Sequence, residues 1–280
     1  MSEDFVFEID DRRLPEDWNG VVPTSVLLDE CRAIVERADR EEFTLRAVGG
    51  LAILLHSPDD DLLARLGRNG HGPVAKSSQE FQDLDFVAYR KDRPRLPSFF
   101  SGMGYIKRRT TLATAMSERH IYFHPDGWFQ VDVFFDSMLM EHTLPLRKRL
   151  TLDFPTLSPT DLFLTKIQIT RPTRKDLVDL ALLMRLHSVS EASSERIDPE
   201  YVSRVLARDW GYWYDASRNL VRLARYVEGC RELSPEEKAD ISTKVSRLSA
   251  AVSIHPKSLR WKARSLIGPR LQWYRPVEAE

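Results

Sequence analysis

The 280-residue sequence has few cysteines, no long apolar run and almost no net charge. Its two cysteines, Cys31 and Cys230, lie far apart and without metal-motif spacing, so a disulfide framework is not expected and a reducing cytoplasm fits. No stretch approaches the roughly 20 apolar residues that span a bilayer, and no signal-type segment begins the chain, so we expect no membrane partner. A formal net charge of −1 argues against a chain that is a nucleic-acid-binding polycation as a whole.

The charges are nevertheless distributed unevenly. Residues 1–20 contain seven acids and two bases, whereas residues 241–276 contain eight bases and no acid. The basic part also carries Trp261, Trp273 and Tyr274. Lys and Arg pair with phosphates and aromatic rings stack on bases, so residues 253–275 are candidates for tracking an RNA backbone. The other interpretation of this segment is a solvated tail.

The hydrophobic pattern changes character near residue 150. Short alternating runs before that point predict strands, at 43–48, 83–89, 105–114, 119–124 and 128–135. After it, helical periodicity dominates, in two helices that follow Ser158 and at about 198–207, 215–229 and 235–252. We therefore expect an α/β (α+β) protein with a mixed sheet flanked by helices in residues 1–150. Residues 151–280 are predicted to form a helical domain with a basic C-terminal segment.

Three aspartates interrupt two of the apolar strands. Asp83 and Asp85 are two residues apart, so both project to the same side of their strand. Asp132 lies between two valines in a second predicted strand. Burying carboxylates beside apolar strands is costly unless they are paired or bind a cation. Oxygen ligands in this arrangement suit Mg²⁺ or Mn²⁺, and such sites usually handle phosphates.

These residues carry a resemblance to a known family. Val48-Gly49-Gly50, Asp83-Leu84-Asp85-Phe86 and Val131-Asp132-Val133 resemble the three signatures of the nucleotidyltransferase fold shared with DNA polymerase beta. Lys166, with the later segment Arg174-Lys175-Asp176-Leu177-Val178-Asp179-Leu180, is similar to the lysine and the Arg-Asp-x-x-Asp-Leu segment of the AbiEii-type nucleotidyltransferase toxins. The resemblance covers about residues 43–187.

The resemblance implies an enzyme that moves a nucleoside monophosphate from an NTP to an acceptor hydroxyl and releases pyrophosphate. Two metal ions neutralise charge in such a reaction. The implied metal ligands are Asp83, Asp85 and Asp132. The implied further catalytic residues are Lys166, for phosphate oxygens, and Asp179, for orienting Lys166 or the acceptor. The implied nucleotide-binding positions are Gly49, Gly50, Lys76, Ser77 and Asp176.

Several alternatives stay open. The implied acceptor is a tRNA 3′ end, as for the toxin of a toxin–antitoxin pair with an antitoxin partner, but an antibiotic or other small molecule and a protein hydroxyl also remain. A different class is a non-catalytic module that binds a nucleotide or a partner. Lys166 and Asp179 can also be read as a helix surface pair. His120 and His124 suggest zinc only weakly. The aromatic run Trp210, Tyr212, Trp213 and Tyr214 suits base stacking or helix packing.

Overall fold

The computed structural model describes residues 14–56, 61–70, 80–108, 119–191 and 195–276. Five strands form one mixed sheet in the order β1-β2-β5-β4-β3, and two short strands form a separate pair, β6 with β7. The strands are β1 Leu45–Val48, β2 Asp83–Ala88, β3 Ile106–Lys107, β4 His120–Phe123, β5 Gln130–Phe135, β6 Ser137–Leu139 and β7 Thr143–Pro145. Residues 109–114 of the predicted strand 105–114 lie outside the described ranges.

The centre of the sheet is one parallel pair, β2 with β5, and the other neighbours are antiparallel. The turn at Pro125-Asp126-Gly127 joins β4 to β5, and Gly127 has a φ of 69°, which favours glycine. Leu84, Phe86 and Val87 of β2 are fully buried, and helix α2 packs against this strand. A parallel pair at the centre brings residues at the same end of two strands side by side.

Ten α-helices occur in the described residues. They are α1 Thr24–Arg40, α2 Gly49–Leu55, α3 Leu62–Leu66, α4 Leu96–Ser101, α5 Pro159–Ile167, α6 Arg174–Leu186, α7 Pro199–Leu206, α8 Trp210–Gly229, α9 Pro235–Ile254 and α10 Leu259–Ile267. Local signals start several of them. Ser158 accepts from the Asp161 amide at the start of α5, and Thr173 and Ser234 form capping boxes with Asp176 and Glu237.

The predicted fold class is confirmed: a mixed α/β half precedes a helical half. The last strand ends at Pro145 and the first long C-terminal helix begins at Pro159, on either side of residue 150. One hydrophobic core runs through both halves, from Val22 to Val252. Helix α2 packs against β1 and β2 on one side and against α5 and α6 on the other. None of the helices in the described ranges has both the length and the apolar character needed to cross a membrane.

The basic C-terminal segment is more ordered than a solvated tail. Helix α10 forms within it, started by Ser258, whose side chain accepts from the Trp261 amide. The chain then returns to the body of the protein, where Trp273 Nε1 donates to Asp215 Oδ2 at 2.9 Å. The Arg275 amide donates to the carbonyl of Glu141 at 2.9 Å. Residues 258–275 are therefore held against α8 and the β6–β7 region.

Candidate functional site

A cavity of about 270 Å³ lies where the sheet, α2 and the helical half meet. Its polar lining comes from segments far apart in the sequence: Gly50, Arg68, Glu80, Gln82, Asp83, Asp85, Lys166, Thr173, Lys175 and Asp176. Five of the ten sequence-predicted site residues line this cavity: Asp83, Asp85, Gly50, Lys166 and Asp176. A sixth, Asp179, contacts Lys166 from outside the lining. Lys76 and Ser77 lie outside the described residues.

The strand register places the three aspartates on one face of the sheet. Asp85 is the direct partner of Asp132 across the parallel β2–β5 pair, and Asp83 is the partner of Gln130. Neighbouring strands are about 4.8 Å apart, so Asp85 and Asp132 are adjacent. Asp83 and Asp85 both line the cavity. Two carboxylates that share a face and open onto a cavity are a donor set that fits Mg²⁺ or Mn²⁺.

Asp132 is held differently. It is only 1% exposed, and its carboxylate accepts from Arg119 Nη1 at 2.8 Å and from Gln130 Nε2 at 3.0 Å. It is not part of the cavity lining. In the described part of the chain, the three aspartates do not bring three carboxylate oxygens within 4.8 Å of one another. Asp132 can therefore act as a metal ligand with Asp83 and Asp85 only if its carboxylate releases Arg119 and binds the ion instead.

Gly49 and Gly50 each lie so close to another side chain that a Cβ atom would not fit. Gly49 turns the chain from β1 into α2 with a φ of +82°, and a Cβ there would lie 2.6 Å from Asp85 Oδ2. A Cβ on Gly50 would lie 2.3 Å from Arg68 Nη2 and 3.2 Å from Asp179 Oδ2. The absence of both Cβ atoms lets Asp85 and Arg68 approach the backbone closely. The predicted contact of Gly49 and Gly50 with a phosphate stays a prediction.

Arg68 is the functional-site residue that the sequence did not reveal. Its guanidinium donates twice to Asp179, from Nε at 2.7 Å and from Nη2 at 2.9 Å, while Nη1 donates to the Glu80 carbonyl at 2.8 Å. Its guanidinium carbon lies 4.5 Å from the centre of the Phe81 ring. This fork geometry is the strongest form of an arginine–carboxylate pair. No local pattern marks Arg68, because it follows a short apolar helix in a polar stretch.

Lys166 of α5 lines the cavity, and two carboxylates hold its ammonium group in place. Its Nζ lies 2.8 Å from Asp179 Oδ2 and 3.5 Å from Asp176 Oδ1. Burial acts to lower the Lys166 pKa, but the charges of Asp179 and Asp176 outweigh it, so the pKa is raised. Burial likewise acts to raise the Asp179 pKa, and Lys166 and Arg68 overcome it, so that pKa is lowered. Both groups are therefore charged near neutral pH.

The Lys166–Asp179 pair is not a helix surface pair. Asp179 is 1% exposed and lies between Lys166 on one side and Arg68 on the other. Asp176 has a second role, because its Oδ2 accepts from the amide and the hydroxyl of Thr173 at the start of α6. The cation Lys166 is thus fixed in position in the same cavity lining as Asp83 and Asp85. Such a lining can attract phosphate oxygens while the aspartates hold a cation.

The histidine pair considered for zinc has other partners. His120 Nε2 accepts from Arg93 Nε at 3.1 Å, and its Nδ1 lies 3.1 Å from the Tyr122 hydroxyl. Burial, followed by the nearby cations Lys107 and Arg93, lowers the His120 pKa to about 4. His124 stacks on Trp128 with ring centroids 4.4 Å apart. Neither histidine belongs to the one metal-type cluster found among the described residues.

The aromatic run at the start of α8 packs instead of presenting open rings. Trp210 stacks on Tyr214, and Tyr214 contacts Trp273 edge to face. Trp213 contacts Trp261 of α10 in the same way. Gly211 allows the backbone of Trp273 to approach, since a Cβ there would lie 2.4 Å from the Trp273 carbonyl oxygen. The run therefore anchors the C-terminal segment.

No protein-family model matches this chain, and no curated protein is significantly similar to it. A function for the cavity is therefore argued from its own residues and their geometry.

Proposed function

We propose that this protein is a metal-dependent nucleotidyltransferase that moves a nucleoside monophosphate from an NTP to an acceptor hydroxyl and releases pyrophosphate. The observation that carries the proposal is the meeting of Asp83 and Asp85 with Lys166 around one cavity of about 270 Å³. Two carboxylates that suit Mg²⁺ and a fixed cation that suits phosphate line the same cavity. Together they match the charges of a metal-bound triphosphate.

The chain's own residues have distinct roles in this proposal. Asp83 and Asp85 would hold the divalent cation, whose chemistry is to neutralise charge on the triphosphate and activate the acceptor hydroxyl. Lys166, positioned by Asp179, would contact phosphate oxygens, and Lys175 in the same lining would add a second cation. Arg68 would act as a positioning residue, because its fork fixes Asp179. Gly50 would leave the space that Arg68 needs.

The acceptor that we propose is RNA, in particular a tRNA 3′ end, within a cytoplasmic toxin–antitoxin system that includes an antitoxin protein. Support comes from the C-terminal segment, where Arg260, Lys262 and Arg270 are exposed while Trp261 and Trp273 hold the segment in place. Exposed cations on an ordered surface are suited to phosphate contacts. The similarity of residues 166–179 to the AbiEii-type toxins supports the same acceptor class.

A second candidate is a non-catalytic module of the same fold that binds a nucleotide or a partner. The observation that favours it is the ion pair of Asp132 with Arg119, which already neutralises the carboxylate expected to help bind a second metal. A protein of this kind would bind NTP at the cavity and transfer nothing. An antibiotic or other small-molecule acceptor is the further alternative within the enzyme reading.

The deciding experiment supplies purified protein with each labelled NTP in turn, Mg²⁺ and total RNA, and resolves the products on a denaturing gel. The proposal predicts label in the tRNA band with at least one NTP, and loss of that label with EDTA. Label in no RNA or small-molecule fraction, together with retained NTP binding, would instead establish the non-catalytic module.

A further inference from the structure

A second cluster of ligand-type atoms lies outside the cavity, at the far ends of two helices that form its walls. His56 follows the last residue of α2, and His187 follows the last residue of α6. Glu195 joins them from the segment whose Ile197 pairs with Val189. One ring nitrogen from each histidine and one Glu195 carboxylate oxygen all lie within 4.8 Å of one another. This cluster has no role in the proposed nucleotidyl transfer.

Hydrogen bonding favours one tautomer of His56. The Thr156 hydroxyl is placed to donate its one hydrogen to the Leu157 carbonyl at 2.8 Å. The same oxygen lies 2.8 Å from His56 Nε2 and, with its hydrogen given to Leu157, accepts from Nε2. The Nδ1 atom of a neutral His56 then carries a lone pair. That lone pair faces Glu195, with Nδ1 and Oε2 only 3.9 Å apart.

His187 is fixed in the complementary way. Its Nδ1 lies 3.1 Å from the Glu195 carbonyl oxygen, which only accepts, so Nδ1 is the donor. Its Nε2 therefore carries the lone pair. His187 is 6% exposed, and its Nε2 is buried with no hydrogen-bond partner among the described residues. A buried acceptor without a donor is costly, so this nitrogen is a candidate ligand atom.

We propose that His56 Nδ1, His187 Nε2 and the Glu195 carboxylate bind a divalent transition-metal ion, with Zn²⁺ as the expected metal. Two imidazole lone pairs and a carboxylate that converge repel one another, a shared cation relieves this repulsion, and two imidazoles with a carboxylate suit zinc. Bonds of about 2.0–2.1 Å around tetrahedral zinc set its ligand atoms about 3.3 Å apart. His56 Nδ1 and Glu195 Oε2, which are 3.9 Å apart, would therefore need to approach each other by about 0.6 Å.

The surroundings have the features of an outer ligand shell. Metal-bound histidines donate their second nitrogen to a carbonyl, hydroxyl or carboxylate, and both histidines here do so. Asp153 adds a carboxylate, with Oδ2 buried, without a hydrogen-bond partner among the described residues and 3.9 Å from His56 Nε2. The Glu195 side chain is 65% exposed, so the cluster can be reached from solvent.

The site would join the two halves of the chain. His56 ends the helix that begins with Gly49 and Gly50, and His187 ends the helix that carries Asp176 and Asp179. A metal bound to both would fix the spacing of α2 and α6, which pack against each other beside the cavity. The inference does not depend on the proposed function, because it rests on ligand atoms that the cavity does not use.

The test is metal binding by untagged, metal-stripped protein, with Zn²⁺ measured by competition against a chromophoric chelator and Co²⁺ by its visible absorption. We expect one Zn²⁺ per chain and a Co²⁺ spectrum of low coordination number. His187→Ala and Glu195→Gln are each expected to weaken Zn²⁺ binding by at least about tenfold. His255→Ala is the matched control, because His255 lies 3.5 Å from Glu200 and these two form no three-ligand cluster within the part of the chain that the structure describes. This variant should bind Zn²⁺ like the wild type.

Equal Zn²⁺ binding by wild type and Glu195→Gln, or no stoichiometric binding by wild type, would overturn the inference. Glu195 is exposed, so its variant reports on the metal even where His187→Ala folds poorly. Circular dichroism of each variant verifies folding. If the wild-type protein binds Zn²⁺ but shows no nucleotidyl transfer, the result counts against the proposed function and not against this site.

Discussion

Arg68 and Asp179 are 111 residues apart in the sequence and form a two-pronged buried ion pair, with contacts of 2.7 and 2.9 Å. The pair closes the back of the cavity, because Asp179 also holds Lys166 in position. Gly50 is the backbone position that makes room for Arg68. These three contacts link the glycine pair, the helical half and the candidate phosphate-binding lysine in one arrangement.

Gly50→Ala is expected to disturb this arrangement strongly. The new Cβ would lie 2.3 Å from Arg68 Nη2, and the guanidinium cannot move away without losing its bonds to Asp179. We expect a loss of about 1–3 kcal/mol in the free energy of unfolding, measured by urea denaturation, and weaker NTP binding. Gly229→Ala is the control, because a Cβ there meets nothing within 4 Å. Equal stability of the two variants would contradict the role given to Gly50.

Lys166→Ala tests the proposed role of Lys166 in binding the phosphates of the NTP. The lysine is held by Asp179 and Asp176 at the cavity, and its removal leaves the Arg68–Asp179 pair in place. A lost charged contact of about 1.5–3 kcal/mol corresponds to a fall of about 10- to 100-fold in kcat/KM for the NTP. Lys238→Ala, whose lysine makes a solvent-exposed hydrogen bond to the Glu228 carbonyl, serves as the control. Unchanged kinetics in Lys166→Ala would remove this residue from the site.

Acid pH is expected to weaken the attachment of α3 to α9. Arg65 donates to both oxygens of Glu237, at 2.7 and 3.2 Å, and this bonding lowers the Glu237 pKa to about 2. A lowered carboxyl pKa contributes stability that is complete above about pH 4.5 and is lost as the pH falls toward 2. Solvent screens the pair because Arg65 is 35% exposed, so we expect at most about 1 kcal/mol.

The measurement for this pair is the difference in unfolding free energy between wild type and Glu237→Gln. The difference should be largest near neutral pH and should shrink below about pH 4. A difference that stays constant from neutral pH down to about pH 3 would show that the Arg65–Glu237 pair does not contribute in this way.

Salt dependence tests the C-terminal segment as an RNA-binding surface. Arg260, Lys262 and Arg270 are exposed, whereas Arg264 is engaged with Trp210 and with the carbonyls of Gly268 and Leu271. Replacing the three exposed bases by Ser should weaken tRNA binding and reduce the slope of log affinity against log salt by up to about two to three. NTP binding at the cavity should be unchanged. An unaltered slope would leave the segment with only a structural role.

The sequence predicted the elements more fully than the contacts between them. Strand alternation predicted the strands, helical periodicity predicted the helical half, and period-two spacing placed Asp83 and Asp85 on one side. Arg68 was missed because its pairing with Asp179 depends on the packing of α3 beside α6, which no local pattern encodes. The β6–β7 pair was missed as well, since strands of three residues leave no clear period.

The His56, His187 and Glu195 cluster was likewise beyond prediction. Its members come from the ends of α2 and α6 and from a later segment, so they share no metal-motif spacing. For Asp132, the sequence predicted the strand but not the contact of the side chain. Its pairing with Arg119 depends on the side chain of a residue 13 positions earlier.

The most direct test of the central claim is nucleotidyl transfer by Asp85→Asn at saturating Mg²⁺, with Asp29→Asn, a change at a side chain that is 79% exposed, as the matched control. Removing one charge beside Asp132 relieves repulsion, so folding should be close to wild type by thermal denaturation. The account predicts at least about a 100-fold loss of transfer in Asp85→Asn and none in Asp29→Asn. Wild-type transfer by a folded Asp85→Asn protein would contradict it.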